Sequence, residues 1–435
     1  MSGSGPEWTG SGGSTTSGSS ASATADETTI DPDGSDSSEG SSVDCRNAQE
    51  CVTGEVCLEA RCASCTDADD PDAACGGAYP ELGLCGSAGR CVACDDGSCS
   101  ADTPVCDPLV GCVACTEHVH CPDSACHLGG PDAGTCFSTD DVVEVQTPGA
   151  FAELLDAVGP GEDRVFVLGA ATYTFPMGFD VDVYDIDGQR EIAFIGNGAT
   201  ILRGNVGANH GFLFGEPDES QVYLFNLDWD GVSPRFSPGF PILEVGPDAE
   251  LWMDDVTARA CLLMNDGTAH LRRSNLLEGV GTPFGFPDAG IQGGGSLYLE
   301  NASLDASPNL THFRFNGLLD IRYSTIVVEE DFLCGADTTG IVRNSIVLSG
   351  GVVDEGCEGA TWTNNAVNEP GYGQMVPAFD SSWLVPTGTT RFNLSAAGAA
   401  VFEGVAQWGE GDPLTDVEGD PRPMRGPSTA GVDEP

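Results

Sequence analysis

Two short charged pairs in the sequence could do chemistry together: Asp254-Asp255 and, eighteen residues later, Arg272-Arg273. An arginine placed beside the proton next to a sugar carboxylate can serve as a base, and neighbouring carboxylates can hold the Ca²⁺ that such eliminations use. This is lyase chemistry, and Asp254, Asp255, Arg272 and Arg273 are its only candidates here. Asn226, Asp228 and Asp230 put three oxygen ligands at alternate positions, a second place where Ca²⁺ could sit. The competing reading of both sets is a solvated face with ordinary ion pairs. Six histidines (His118, His120, His127, His210, His270 and His312) show no metal-ligand spacing. No Ser-His-Asp order, phosphate loop or nucleotide fingerprint is present.

Neither set is complete. The second opens like an EF-hand loop, but Ser237 stands where the twelfth position needs a bidentate Glu. Asp180, Asp182, Asp185 and Asp187 form a further acidic strip in strand context. Asp254-Asp255 resembles one polygalacturonase element, whose partner elements are absent; Asn209-His210-Gly211 is only a fragment. No catalytic residue is therefore assigned. Ca²⁺ is the one cofactor these residues could use.

The candidates can act only if neighbouring turns of chain hold them together. From residue 190 an apolar strand closed by a polar residue recurs, anchored at Asn197, Asn226, Asp255, Arg273, Asn301, Tyr323, Asn344 and Asn364, in steps of 29, 29, 18, 28, 22, 21 and 20 residues. Such a quasi-period predicts stacked coils with insertions confined to loops. One strand of this kind cannot bury its apolar side alone, whereas stacking builds a continuous core and satisfies the backbone. A turn Asn accepts left-handed geometry and can bond the equivalent Asn one coil away, which gives Asn197, Asn301 and Asn344 a structural role. A β-sandwich is the alternative, but its turn signals recur at about 8–12 residues. Phe151, Leu154, Leu155 and Val158 fall at helical spacing and predict an amphipathic helix over the open end of the stack. Cys334 and Cys357 lie 23 residues apart, about one coil, and are expected to pair across adjacent rungs. Cys261 then reads as a buried small apolar residue. Trp229, Trp252 and Tyr298 are the aromatic candidates for an exposed binding face.

The N-terminal third is different in texture. Residues 1–44 are Ser, Gly, Thr, Ala, Asp and Glu almost throughout, too polar to offset the entropy of ordering, and predict a tether. Across 45–138 the cysteines fall into four sets of four: Cys45, Cys51, Cys57, Cys62; Cys65, Cys75, Cys85, Cys91; Cys94, Cys99, Cys106, Cys112; and Cys115, Cys121, Cys126, Cys136. Two-residue junctions separate the sets, so pairing is expected within modules, with three connectivities open for each. A zinc ribbon is the alternative use of the same thiols. Cysteine at this density marks an oxidising compartment, hence an extracellular or cell-surface protein. The start at Met1 lacks the basic and apolar regions of a secretory signal, so the expected export signal and a lipid anchor would lie upstream. No apolar run of about eighteen residues is present, so no transmembrane segment is expected. The chain carries 68 acidic residues against 16 basic ones, all arginine, for a formal net charge of −52. Such a charge repels nucleic acid, anionic lipid and uronans not bridged by Ca²⁺.

On these strands, residues 139–435 resemble the pectate-lyase-like, right-handed parallel β-helix proteins of bacterial surfaces, with 139–412 as the β-helix itself, and the cysteine modules resemble short cysteine-rich repeats of such proteins. Asp416-Val-Glu-Gly-Asp-Pro421-Arg422, followed by Gly431-Val-Asp-Glu434, is similar to the closing motif of their choice-of-anchor Q group. There Thr429 and Ala430 stand before the final Gly, where that group carries an Asp. The resemblance implies an all-β solenoid with a closing tail over 413–435, pinned by Arg422 and Glu434. It implies little about activity. The expected function is a non-catalytic adhesion or glycan- or protein-binding β-helix on a disulfide-rich stalk; the alternative is a secreted carbohydrate-active enzyme, lyase more than hydrolase.

Overall fold

The computed structural model describes residues 47–48, 51, 55–59, 61–79, 81–94, 99–174, 183–186, 190–198, 200–203, 211–214, 220–230, 243–259, 262–277, 290–304, 312–328, 331–353, 355–377, 380–386 and 392–433. Cys45, Cys261 and Glu434, with Asp180, Asp182 and Asp187 of the acidic strip, lie outside them.

Beyond residue 141 most of the described strands pair in parallel. Arg164–Leu168, Glu191–Ile195, Gln221–Asp230, Glu250–Arg259, Thr268–Arg272, Ser296–Glu300, Leu318–Arg322, Thr339–Arg343 and Ala360–Thr363 each lie parallel to the one before, within an 18-stranded sheet. A second file of segments, from Thr172–Thr174 to Ala366–Val367, continues the same sheet. Seven further strands, from Val183–Ile186 to Phe332–Cys334, form a separate parallel sheet. A sandwich of antiparallel layers is excluded for this region. The register is unbroken: Tyr223, Trp252, His270, Tyr298, Asp320, Ile341 and Thr361 stand directly over one another. A one-residue slip would turn every apolar side chain to the wrong face, so the alternation itself holds this register.

Between the two files sits one residue with left-handed backbone. Asn226, Asp255, Arg273, Asn301, Tyr323, Asn344 and Asn364 have φ between 45° and 57°. The bend changes the phase of the side chains. Val222 and Leu224 point into the core before it, Leu227 and Trp229 after it; Leu251 and Met253 likewise give way to Val256 and Ala258. Trp229 is thus 1% exposed, a correction to its expected place on an outer face, because simple alternation does not survive the bend. Asn197 is also corrected: its neighbour Gly198, with φ 74°, takes the left-handed position.

The bend asparagines do not bond one another. Asn344 Nδ2 donates to Gln407 O and to Asp412, and Asn301 Nδ2 donates to Thr415 O. Both reach outward to the C-terminal tail. The coil-to-coil ladder lies one residue later: Ala302 N donates to Ser324 Oγ, Ser324 N to Ser345 Oγ and Ser345 N to Asn365 Oδ1, all buried. These side chains satisfy amides that the bend removes from the regular strand pattern.

Helix Pro148–Asp156 buries Phe151 and Leu155 against Phe166, Tyr173 and Phe194. At the other end Trp383, Phe402 and Val405 of the tail region pack on Tyr323, Val327, Ile346 and Leu348. Arg422, 2% exposed, anchors the tail: its guanidinium lies 4.0 Å from the Tyr323 ring centre and donates to Asn301 Oδ1 and the carbonyls of Gly431 and Val432.

Disulfides within the modules follow one pattern, first to third and second to fourth: Cys65–Cys85 with Cys75–Cys91, Cys94–Cys106 with Cys99–Cys112, and Cys115–Cys126 with Cys121–Cys136. Cys51–Cys62 is the second-to-fourth bridge of the first module, whose Cys57 is also disulfide-bonded. The fourth module is not a separate stalk element. Its Ala125 and Phe137 pack on Val165, Ala193, Tyr223 and Phe225, and His127 pairs with Glu191.

Cys334 and Cys357 are bonded, with Cα atoms 4.9 Å apart; Cys357 sits on a short 3-10 turn, Glu355–Gly359, rather than on a strand. Replacing both by Ser should lower unfolding stability by about 3 kcal/mol, from the entropy of a loop of this length. Denaturant titration of the oxidised parent and the double variant measures it, and an unchanged midpoint would contradict the estimate.

Candidate functional site

Asp254 and Arg272 face each other on adjacent strands, and their register position continues through Glu300, Arg322 and Arg343. This outer file alternates Asp, Arg, Glu and Arg before its final Arg. Asp254 is the most enclosed charge in it, at 1% side-chain exposure. Arg272 Nη2 donates to Asp254 Oδ2 at 2.6 Å, while Arg273 Nε and Nη2 donate to Asp254 Oδ1 and Oδ2 at 2.9 and 2.8 Å. Arg273 can reach back across to Asp254 because it occupies the left-handed bend.

The fourth cysteine module covers this cluster. Arg272 Nη1 donates to Thr116 O at 2.9 Å, and Arg273 Nη1 lies 3.6 Å from Glu117. Burial alone would lower the Arg273 guanidinium, but Asp254 and Glu117 outweigh it and hold the group above its usual range. Glu300 is pushed up by burial, against the pull of Arg272 and Arg322. His118 rests at 4.7 Å from the Phe225 ring; burial pulls its imidazole below the ordinary range, more than Asp254 and Glu117 raise it.

These groups line a cleft of about 270 Å³ built from three distant parts of the chain. Glu117 and His118 come from the fourth module, Asn226, Asp255 and Arg273 from successive bends with Asp254 beside them, and the remaining wall is the tail segment 417–419. The structure therefore brings Asp254, Asp255, Arg273 and Asn226 to one place. Arg272 stands behind them. Asp228 and Asp230 continue along the second half of their strand, in register with Thr257 and Arg259, so they do not wrap around a common point as a Ca²⁺ loop does. Burial pushes the Asp228 carboxyl up, opposed by Arg259.

Elsewhere on the same face Trp252, His270 and Tyr298 stack ring on ring at 3.7 and 4.3 Å, with Trp252 Nε1 donating to Glu250. Their ring faces are turned to one another. In the tail, the carboxylates of Asp416, Glu418 and Asp433 lie within 4.8 Å of one another, close enough for a metal ion. Two of them hold the turn instead: Asp416 accepts the amides of Glu418 and Asp420, and Asp433 that of Leu394. The zinc-ribbon alternative falls because the described module cysteines are disulfide-bonded and offer no thiolate. Sequence reasoning missed the tail and the fourth module as walls of the site. The available signals were Glu117-His118 inside a cysteine module and Glu418 inside the closing motif.

A family of unknown function (DUF8331) matches residues 28–142, which takes in the cysteine modules and stops at the first strand of the body. No curated protein and no solved structure matches the chain. Among the described residues, no helix is long and apolar enough to cross a membrane.

Asp254→Asn should destabilise the fold by about 3 kcal/mol, because it removes the buried carboxylate that two covered guanidinium groups share; a loss under 1 kcal/mol in urea titration would mean the cluster contributes no more than a surface pair. His118 binds its proton less readily folded than unfolded, so the chain should lose stability as pH falls from the ordinary imidazole value, about 6.5, towards the lower folded value. In His118→Gln that part of the pH dependence should vanish, which thermal melts between pH 7.5 and pH 5 would reveal.

Proposed function

We propose that this chain is a displayed, non-catalytic binding protein whose body is a right-handed parallel β-helix of the pectate-lyase-like kind. Three parallel files of strand and a closing tail that engages the bends support the architecture, and the tail's Arg422 fits the choice-of-anchor Q resemblance. Disulfide pairing in the modules supports an exported, extracellular or surface location, with a lipid anchor as the means of attachment. Glycan or protein is the partner class; nucleic acid is repelled by the charge.

One observation carries the non-catalytic reading. The two arginines that could act as a base both donate to Asp254, and Arg273 is held protonated by the carboxylates around it. A base must give up its proton before it can take another. Burial of Arg273 favours that, but Asp254 and Glu117 outweigh it.

The second reading, a polysaccharide lyase, is favoured by the meeting of Asp254, Asp255 and Arg273 in one cleft. The test is incubation of the intact protein with polygalacturonate and with alginate, with and without Ca²⁺, followed by absorbance of unsaturated products. No product is expected in any arm. Product that disappears in Arg273→Gln would establish the lyase and end the binding-only reading.

A further inference from the structure

Resting on the binding reading, we infer that the cleft is a site for one neutral, polyhydroxylated ring, such as the terminal pyranose of an uncharged glycan. Its size is the first argument. At about 270 Å³ it falls just below the range of about 300–1,000 Å³ that drug-sized ligands occupy, so it has room for one ring within its walls.

The mixture of groups is the second argument. Asp255, Glu117 and Glu418 present acceptors, Arg273 and the Asn226 amide present donors, and all of them line the same small space. A bare cation would meet the Arg273 guanidinium. An anion, uronate or phosphate included, would meet the four carboxylates of Glu117, Asp254, Asp255 and Glu418 in a chain of net charge −52. Vicinal hydroxyls both donate and accept, and they match a wall that alternates the two roles. The His118 ring and Val119 supply a short apolar side for the carbon face of a sugar.

Position is the third. Asn226 and Asp255 are consecutive bend residues, each with left-handed backbone, so the strand stack sets where their short side chains start and leaves little chain to order on binding. The other walls are tied down as well, by the ion pair of Glu117 with Arg273 and by the Asp416 turn that carries Glu418.

The same two bends allow a clean test, since Asp255→Asn and Asn226→Gly both keep residues at home in left-handed geometry. The full-length protein is titrated calorimetrically with methyl mannoside, methyl glucoside, glucosamine, and methyl galacturonoside as the anionic arm, and each mixture is then analysed by mass spectrometry. Binding of a neutral glycoside is expected, with affinity reduced about tenfold or more in Asp255→Asn and Asn226→Gly at unchanged melting temperature. No binding of either neutral glycoside, binding undiminished in both variants, or a preference for glucosamine or galacturonoside overturns the inference. Mass spectrometry separates this from the parent reading. Intact ligand leaves the non-catalytic assignment standing whichever way the affinities fall, while a cleaved one removes that assignment.

Discussion

Left-handed backbone at one residue in each repeat is the constraint on which the rest of this molecule depends. Between Asn226 and Asn364 seven residues adopt it, at a cost that only Gly, Asn and Asp bear lightly. Arg273 and Tyr323 bear it too, and both are held by strong local contacts: the first by Asp254, the second by the Arg422 guanidinium on its ring. The bend shifts which side chains point inward, so each repeat can carry two short apolar stretches that face one core from different directions. It also interrupts the backbone pattern. Buried hydroxyls of Ser324 and Ser345 and the amide of Asn365 repair the interruption from the neighbouring strand.

Outside the core, the bends work as attachment points. Asn301, Tyr323 and Asn344 hold the closing tail, while Arg273 and its neighbour Arg272 hold the fourth cysteine module. The module that precedes the strand stack and the tail that follows it thus meet over one edge of the stack. The cleft lies where they meet. Its walls come from residues near 118, 255 and 418, and none of the three segments could form it alone. Its charges are mostly committed to one another: Asp254 is shared by two guanidinium groups, and Arg273 also leans on Glu117. Such a cluster favours a fixed shape over reactivity, because moving any proton would leave a covered charge without its counterpart.

Much of the frame was legible in the sequence, and the reasons are physical. The spacing of the bend residues is visible because a left-handed position restricts residue type, and Asn recurs where the geometry demands it. Parallel β-structure and a disulfide-rich N-terminal region follow from the same reading. Three things were not legible. Trp229 was misplaced because the left-handed bend at Asn226 changes which side chains of that strand point inward, and residue types alone do not reveal the change of phase. The role of the bend asparagines was assigned to their own column, since a pattern of repeats carries no information about a tail 63 to 114 residues away. The cleft was seen only in part: Asp254, Asp255 and Arg273 stood out as charged pairs, whereas Glu117 and Glu418 sat in segments whose local role, a cysteine module and a closing turn, already accounted for them.

The staggered bridges of the modules carry a consequence for a chain that is cut. Where the first cysteine joins the third and the second joins the fourth, any single break between the outer two leaves at least one bridge across it, in the second, third and fourth modules alike. A protease that nicks a loop there would release nothing. From Cys65 to Cys136 only the junction dipeptides, Val92-Ala93 and Val113-Ala114, lack a described bridge spanning them, and they are two residues long. Continuity from Cys65 to Cys136 therefore rests on a few short peptide links rather than on some seventy residues of loop, and it fails elsewhere in that stretch only when scission and reduction coincide.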